Sequence, residues 1–144
     1  MKRQGFTLIE LLVVIAIIGL LSTLAVVALG NARLKARDAK RLSDLKQLQT
    51  ALELYYTDNN AYPAVAGGGV LGSGTSACLG SAGWGAAGCA SPYMGLVPKD
   101  PQDPAQTYVF STPVAGAYQI TASLEGNVNG LSGAIKLTPS GIGP

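Results

Sequence analysis

The chain has 144 residues, with 10 Lys and Arg against 8 Asp and Glu, a formal net charge of +2, and no histidine. Only 12% of residues are charged and the mean hydropathy is +0.31, so a strongly apolar segment accompanies one modest domain. This balance argues against a broadly basic nucleic-acid-binding surface, although Arg33, Lys35, Arg37, Lys40 and Arg41 form a locally positive stretch.

Gly5-Phe6-Thr7-Leu8-Ile9-Glu10 leads directly into an uncharged run from Leu11 to Asn31. A helix of ~20 apolar residues spans a ~30 Å hydrocarbon core. Reading Lys2 and Arg3, just before it, as the cytoplasmic flank of the positive-inside rule puts the remainder across the membrane. A carboxylate at bilayer depth costs upward of ~2.5 kcal/mol and marks a specific partner, so Glu10 demands explanation. Thr7-Leu8-Ile9-Glu10 also fits the capping-box pattern, whose two side chains satisfy the first backbone donors of a helix. The two roles are compatible.

The hexapeptide resembles, residue for residue, the prepilin cleavage and methylation motif of type IV pilins and type II secretion pseudopilins. The resemblance implies cleavage by a prepilin peptidase between Gly5 and Phe6, N-methylation of Phe6, and pairing of Glu10 with the terminal amine of a neighbouring subunit during assembly. An ordinary secretory signal cut at the Ala-rich exit (Ala25, Ala28, Ala32) and a plain single-span anchor are alternatives, and neither has a use for Glu10. Ala16, Gly19, Ser22 and Thr23 supply small side chains that let apolar helices approach closely.

Beyond the apolar run, no proline interrupts Asn31 to Thr57, and Leu42, Leu45, Leu48, Leu52 and Tyr55 recur at three- and four-residue steps. This predicts an amphipathic continuation, with Arg37, Lys40, Arg41, Asp44 and Lys46 on the solvent side. One helix from Thr7 to Thr57 would measure ~75 Å, with Gly30 as a point of bending. Asp58-Asn59-Asn60 supplies turn formers and Pro63 ends the helix. The passage from Leu/Ala helix into Tyr55-Tyr56, a polar turn and Tyr62-Pro63 is similar to the same passage in pseudopilins.

From Ala64 to Gly95 the sequence reads as a Gly/Ala/Ser-rich loop that buries little. It holds Cys78 and Cys89, the chain's two cysteines. In an oxidising compartment this pair forms a disulfide; two free thiols are the alternative. Trp84, between them, has either a packing or a contact role, and packing is favoured. After the turn-rich Pro98-Lys99-Asp100-Pro101-Gln102-Asp103-Pro104, three strands are predicted: Tyr108–Phe110, Ala117–Leu124 and Ala134–Thr138. In the second, Tyr118, Ile120, Ala122 and Leu124 share the buried face.

No catalytic constellation is present. Gly67-Gly68-Gly69 has no Lys-Ser/Thr after it and makes no P-loop, and no serine lies in a nucleophile-elbow pattern. The resemblance implies calcium in a loop near the C-terminus. Here that stretch, Glu125 to Gly133, offers only Glu125, Asn127 and Asn129, with Asp100 and Asp103 elsewhere, whereas a hard cation takes six to eight oxygens. No metal is assigned.

The sequence therefore predicts an α+β, pilin-like fold, a long N-terminal helix packed on a small antiparallel sheet. Its parts are a leader at 1–5, a membrane and filament-core helix at 6–30, an amphipathic helix at 31–58, and a Gly-rich loop and β head at 59–144. By resemblance the leading expectation is a structural subunit of a type IV pilus-like extracellular filament, made as an inner-membrane precursor. Its partners would be further copies of itself, a prepilin peptidase, an assembly ATPase and a platform membrane protein. The major pseudopilin of a type II secretion system, forming a periplasmic piston, is the alternative within the same class. A membrane-anchored binding domain that never polymerises is the alternative outside it.

Overall fold

A computed structural model describes residues 5–64, 69–112 and 116–144. Lys2 and Arg3, and Gly67 and Gly68 of the glycine cluster, lie outside the described residues. The chain divides into two compact units, one ending at Lys35 and the other running Ala36–Pro144. Helix α1 (Leu8–Asn59) begins in the first and continues into the second.

In the first unit α1 carries no charge from Leu11 to Leu29 and is apolar almost all round, and its large side chains are exposed, Leu8 by 79% and Val26 by 72%. Fully covering one such side chain is worth ~1.5–3 kcal/mol, so this segment requires lipid or other protein around it. It is long and apolar enough to cross a membrane. Its two hydroxyls are satisfied within the helix: Ser22 Oγ donates to the Ile18 carbonyl at 2.7 Å and Thr23 Oγ1 to the Leu20 carbonyl at 2.8 Å. Both therefore sit in an apolar setting without an unpaired polar atom. Gly30 is helical and does not interrupt α1.

In the second unit the predicted periodicity becomes the core. Leu45, Leu48 and Leu52 of α1 are fully buried, with Leu42 and Tyr55 packed at the margin. They share a cluster with Tyr108, Phe110, Tyr118, Ile120, Ile135 and Leu137. The main sheet is antiparallel and four-stranded, β4 (Val109–Ser111), β5 (Gln119–Val128), β6 (Leu131–Thr138) and β7 (Gly141–Gly143), in that spatial order. The expected burial of Tyr118, Ile120, Ala122 and Leu124 on one face is observed. The middle strand runs on to Val128, past the predicted end at Leu124, and a fourth strand, β7, follows the three predicted. β5 and β6 continue to a two-residue turn at Asn129 and Gly130, both at positive φ (53° and 82°). Asn-Gly is the preferred pair for such a turn because both residues tolerate the left-handed region.

The expected loop is in part a second sheet, which corrects the reading that it buries little. A 3₁₀ turn (Gly74–Ser76) leads to β1 (Cys78–Gly80), β2 (Gly83–Gly85) and β3 (Pro92–Met94), ordered β2-β1-β3. Cys78 and Leu79 are fully buried. Trp84 stands opposite Leu79 and packs edge-on against Phe110, ring centroids 5.1 Å apart, which ties this small sheet to the main core. Gly72 (φ +80°) permits the close approach of the Pro98 carbonyl, 2.9 Å from where a Cβ would stand. Cys78 and Cys89 are disulfide-bonded with Cα atoms 6.2 Å apart, closing a loop of sequence separation 11. Three-residue strands rich in glycine hold little area of their own, so the staple substitutes for burial. Replacing both cysteines by serine is expected to destabilise the second unit by ~3 kcal/mol. Denaturation followed by the single tryptophan, Trp84, reads this directly; a loss under ~1 kcal/mol would mean the small sheet holds without its staple.

Candidate functional site

Two constellations carry the chain's chemistry, one in each unit. At the start of α1, Thr7 and Glu10 form a reciprocal capping box. The Thr7 amide and hydroxyl both donate to Glu10 Oε2, at 2.8 and 2.7 Å, and the Glu10 amide donates to Thr7 Oγ1 at 3.3 Å. The other carboxylate oxygen, Oε1, has no partner among the described residues. The cap thus occupies one oxygen and leaves the second available to an external cation. Phe6, the residue after the expected cleavage point, is 86% exposed, and Gly5 is exposed beside it.

The second constellation is a charged cluster on the face of α1 that enters the second unit. Arg41 is fully buried, and all five of its N–H donors are used. Nε and Nη2 grip Asp100 in a fork at 2.8 and 2.9 Å. Nη1 donates to Asp38 at 2.8 Å and to Glu125 at 2.7 Å, and Nη2 donates also to Gln102 at 2.9 Å. Arg37 adds a second fork on Glu125, at 2.6 and 2.5 Å. Asp38, itself fully buried, accepts from the backbone amides of Glu125 and Gly126 at 3.0 and 2.8 Å. Those amides are free because β5 and β6 lose register between Leu124 and Asn127. A bulge of this kind re-aims a side chain, and here it turns Glu125 toward the arginines. Close by, Tyr108 donates to buried Asp44 at 3.0 Å, whose other oxygen accepts from Lys40 at 3.3 Å.

This corrects the reading of Arg41 and Asp44 as solvent-facing; Lys40 and Lys46 are exposed and Arg37 is half-buried. The signal was in the spacing, since Arg41 lies four residues before Leu45 in the 41-45-48-52 phase of the buried stripe. The partners supplied by the Asp-Pro connector and by β5 lie far away in sequence and gave no such signal.

The electrostatics follow from the geometry. The forks from Arg37 and then Arg41 hold the Glu125 carboxyl down at about 2, against an ordinary 4.5. Burial and the neighbouring Asp44 push the Tyr108 hydroxyl well above the usual tyrosine range. Because the folded-state value of Glu125 is depressed, its contribution to stability is complete above about 4.5 and is lost as pH falls from there toward 2. Thermal melts across that interval should show falling stability, and Glu125→Gln should flatten that part of the profile. An unchanged slope would mean that the forks do not hold the carboxylate charged.

The residues considered for calcium are engaged elsewhere. Both Glu125 oxygens accept from guanidinium groups, Asn127 Oδ1 accepts from the Gly130 amide at 3.2 Å, and Asn129 begins the hairpin turn. As a donor set they do not fit a hard cation, for their one carboxylate is already neutralised. Asp100 is held by Arg41, and Asp103 lies 3.6 Å from Lys99. Among the described residues no group of three His, Cys, Asp or Glu side chains is placed to hold a metal ion.

Comparison with known proteins places both constellations in context. Residues 1–26 match the model of the prokaryotic N-terminal methylation motif. Residues 28–136 match the model of type II secretion system (T2SS), protein G. Similar curated proteins include type II secretion system core protein G of Pectobacterium carotovorum subsp. carotovorum, 44% identical over 63 residues, covering 44% of this chain and 40% of that one. The proteins of the same name from Aeromonas hydrophila and Escherichia coli (strain K12) are 45% and 47% identical over 62 residues, covering 43% of each chain. The chain thus spans less than half the length of these curated relatives. No solved structure matches.

Proposed function

Because the chain belongs to the type II secretion system protein G family, we propose that it is the major pseudopilin of such a system, a non-enzymatic structural subunit. The observation that carries this reading is the presence on one chain of the N-terminal methylation motif at 1–26 and the protein G domain at 28–136. The surface-pilus reading rests on the N-terminal motif, which both classes share, whereas the longer match is to the secretion protein. The secretion reading is therefore preferred to the one the sequence favoured.

In this reading the precursor sits in the membrane through the apolar part of α1 and is cut by a prepilin peptidase between Gly5 and Phe6. Phe6 is then N-methylated. An assembly ATPase and a platform membrane protein move the subunit into a periplasmic pseudopilus built of its copies. The exposed apolar side chains of the first unit support burial against neighbouring stems, which replaces lipid with protein. The unpartnered Glu10 Oε1 supports pairing with the methylated amine of the next subunit. A carboxylate and an ammonium in an apolar core attract strongly and penalise any stagger that leaves either alone. That penalty would set the register between stems.

Fractionation with intact-mass analysis tests the reading. Protein beginning at methylated Phe6 and retained with the cell envelope is the expected result. Sheared extracellular filaments of the same processed chain would return the protein to the surface-pilus class. A chain keeping Met1 to Gly5 would overturn both.

A further inference from the structure

Of the five cations in the basic stretch after the apolar run, three are accounted for. Arg37 holds Glu125, Arg41 is buried in its cluster and Lys40 pairs with Asp44. Arg33 and Lys35 are exposed and make no hydrogen bond or ion pair with any described residue. Both lie at the end of the first unit, on the last turn of α1 before the second begins.

Their position along the helix is specific. The 23 steps from Glu10 to Arg33 correspond to ~35 Å at ~1.5 Å per residue. That exceeds a hydrocarbon core of ~30 Å and fits within the ~40–45 Å that includes both headgroup layers. A span that puts Arg33 and Lys35 in the outer headgroup layer therefore puts Glu10 in the inner one, not in hydrocarbon. Their position around the helix matters too. Two residues apart means a rotation of about 200°, so the two cations project from opposite sides. While the subunit is still a monomer in the membrane, a single partner helix covers one side of the stem, whereas lipid surrounds it.

From this geometry we infer that Arg33 and Lys35 form a cationic girdle that binds the phosphates of anionic lipids in the outer leaflet while the subunit is membrane-resident. The inference rests on the membrane-anchored state of the proposed function. The girdle fixes the depth of the span, and so holds Glu10 at the inner interface with its free oxygen hydrated until a neighbouring amine replaces the water. Arginine and lysine suit this task because their long apolar stems reach along the hydrocarbon while the charged heads meet phosphate. The contact is electrostatic and is weakened by salt.

The full chain reconstituted into vesicles of phosphatidylcholine with phosphatidylglycerol tests this, with spin-labelled versions of each lipid reporting which one sits against the protein. The native chain should select phosphatidylglycerol, and Arg33→Gln with Lys35→Gln should lose that selectivity by roughly fivefold per cation at low salt. Added inorganic phosphate at constant ionic strength should not compete, since the site is a headgroup layer and not a closed anion pocket. Equal selectivity in the native and double-variant chains would overturn the inference. If selectivity is equal but the variant self-crosslinks less in vivo, the pair belongs to a contact with a second copy instead. Alkaline carbonate extraction separates the premise from the inference. Release of the native chain would remove the membrane span and the girdle with it, whereas retention with equal selectivity would remove the girdle alone.

Discussion

Glu10→Gln is expected to abolish assembly while leaving membrane insertion and folding of the second unit unchanged. Glutamine can still accept from the Thr7 amide, as the capping box allows either Glu or Gln at this position. What it removes is the charge that the free Oε1 would present to a neighbouring amine. Thr7→Ala is the reciprocal test. It deletes the hydroxyl half of the cap at a local cost of ~1 kcal/mol and keeps the carboxylate. A pseudopilus that tolerates Thr7→Ala and fails with Glu10→Gln assigns assembly to charge. The opposite pattern would show that Glu10 serves the helix start alone, and the register argument would fall. The measurement is crosslinked ladders of full-length subunit in membranes, with carbonate-resistant monomer as the insertion control.

The second large effect is expected at Arg41. Arg41→Met should destabilise the second unit by roughly 3–5 kcal/mol, because it leaves buried Asp38 and Asp100, and partly Glu125, without their countercharge. For a unit of this size that is a fall in Tm of at least about 10 °C. Arg41→Lys should recover part of the loss, since an ammonium keeps the charge but cannot reproduce the fork on Asp100. Adding Asp38→Asn and Asp100→Asn to Arg41→Met should also recover part, by removing the stranded charges. If Arg41→Met alone costs less than about 1 kcal/mol, water reaches the cluster and its closed hydrogen bonding is not what holds α1 to β5. Trp84, packed on Phe110, reports unfolding in the intact chain.

Local chemistry made much of this legible from the sequence. An apolar run of membrane length, a capping box at its start and a three-four leucine phase after it act within a few helical turns, so residue order suffices to place them. The alternation from Tyr118 to Leu124 is equally local, as is the Asn129-Gly130 turn signal between β5 and β6. The Cys78–Cys89 pairing needed only compartment and proximity.

What the sequence determined, then, is the stem, its cap, the helical phase and the strand alternation, all set by backbone geometry and side-chain periodicity over short distances. Only the tertiary structure decided the fate of the charges. Arg41 follows the buried phase of its helix although it is an arginine, and it can do so because Asp100 and a bulge at Glu125 arrive from 59 and 84 residues away to receive it. The small sheet was decided the same way, its glycine-rich strands ordering only where Trp84 meets Phe110 and the disulfide closes the loop. A buried charge is tolerable only when its partners are already in place, and which partners meet depends on the folded topology, not on any interval of sequence.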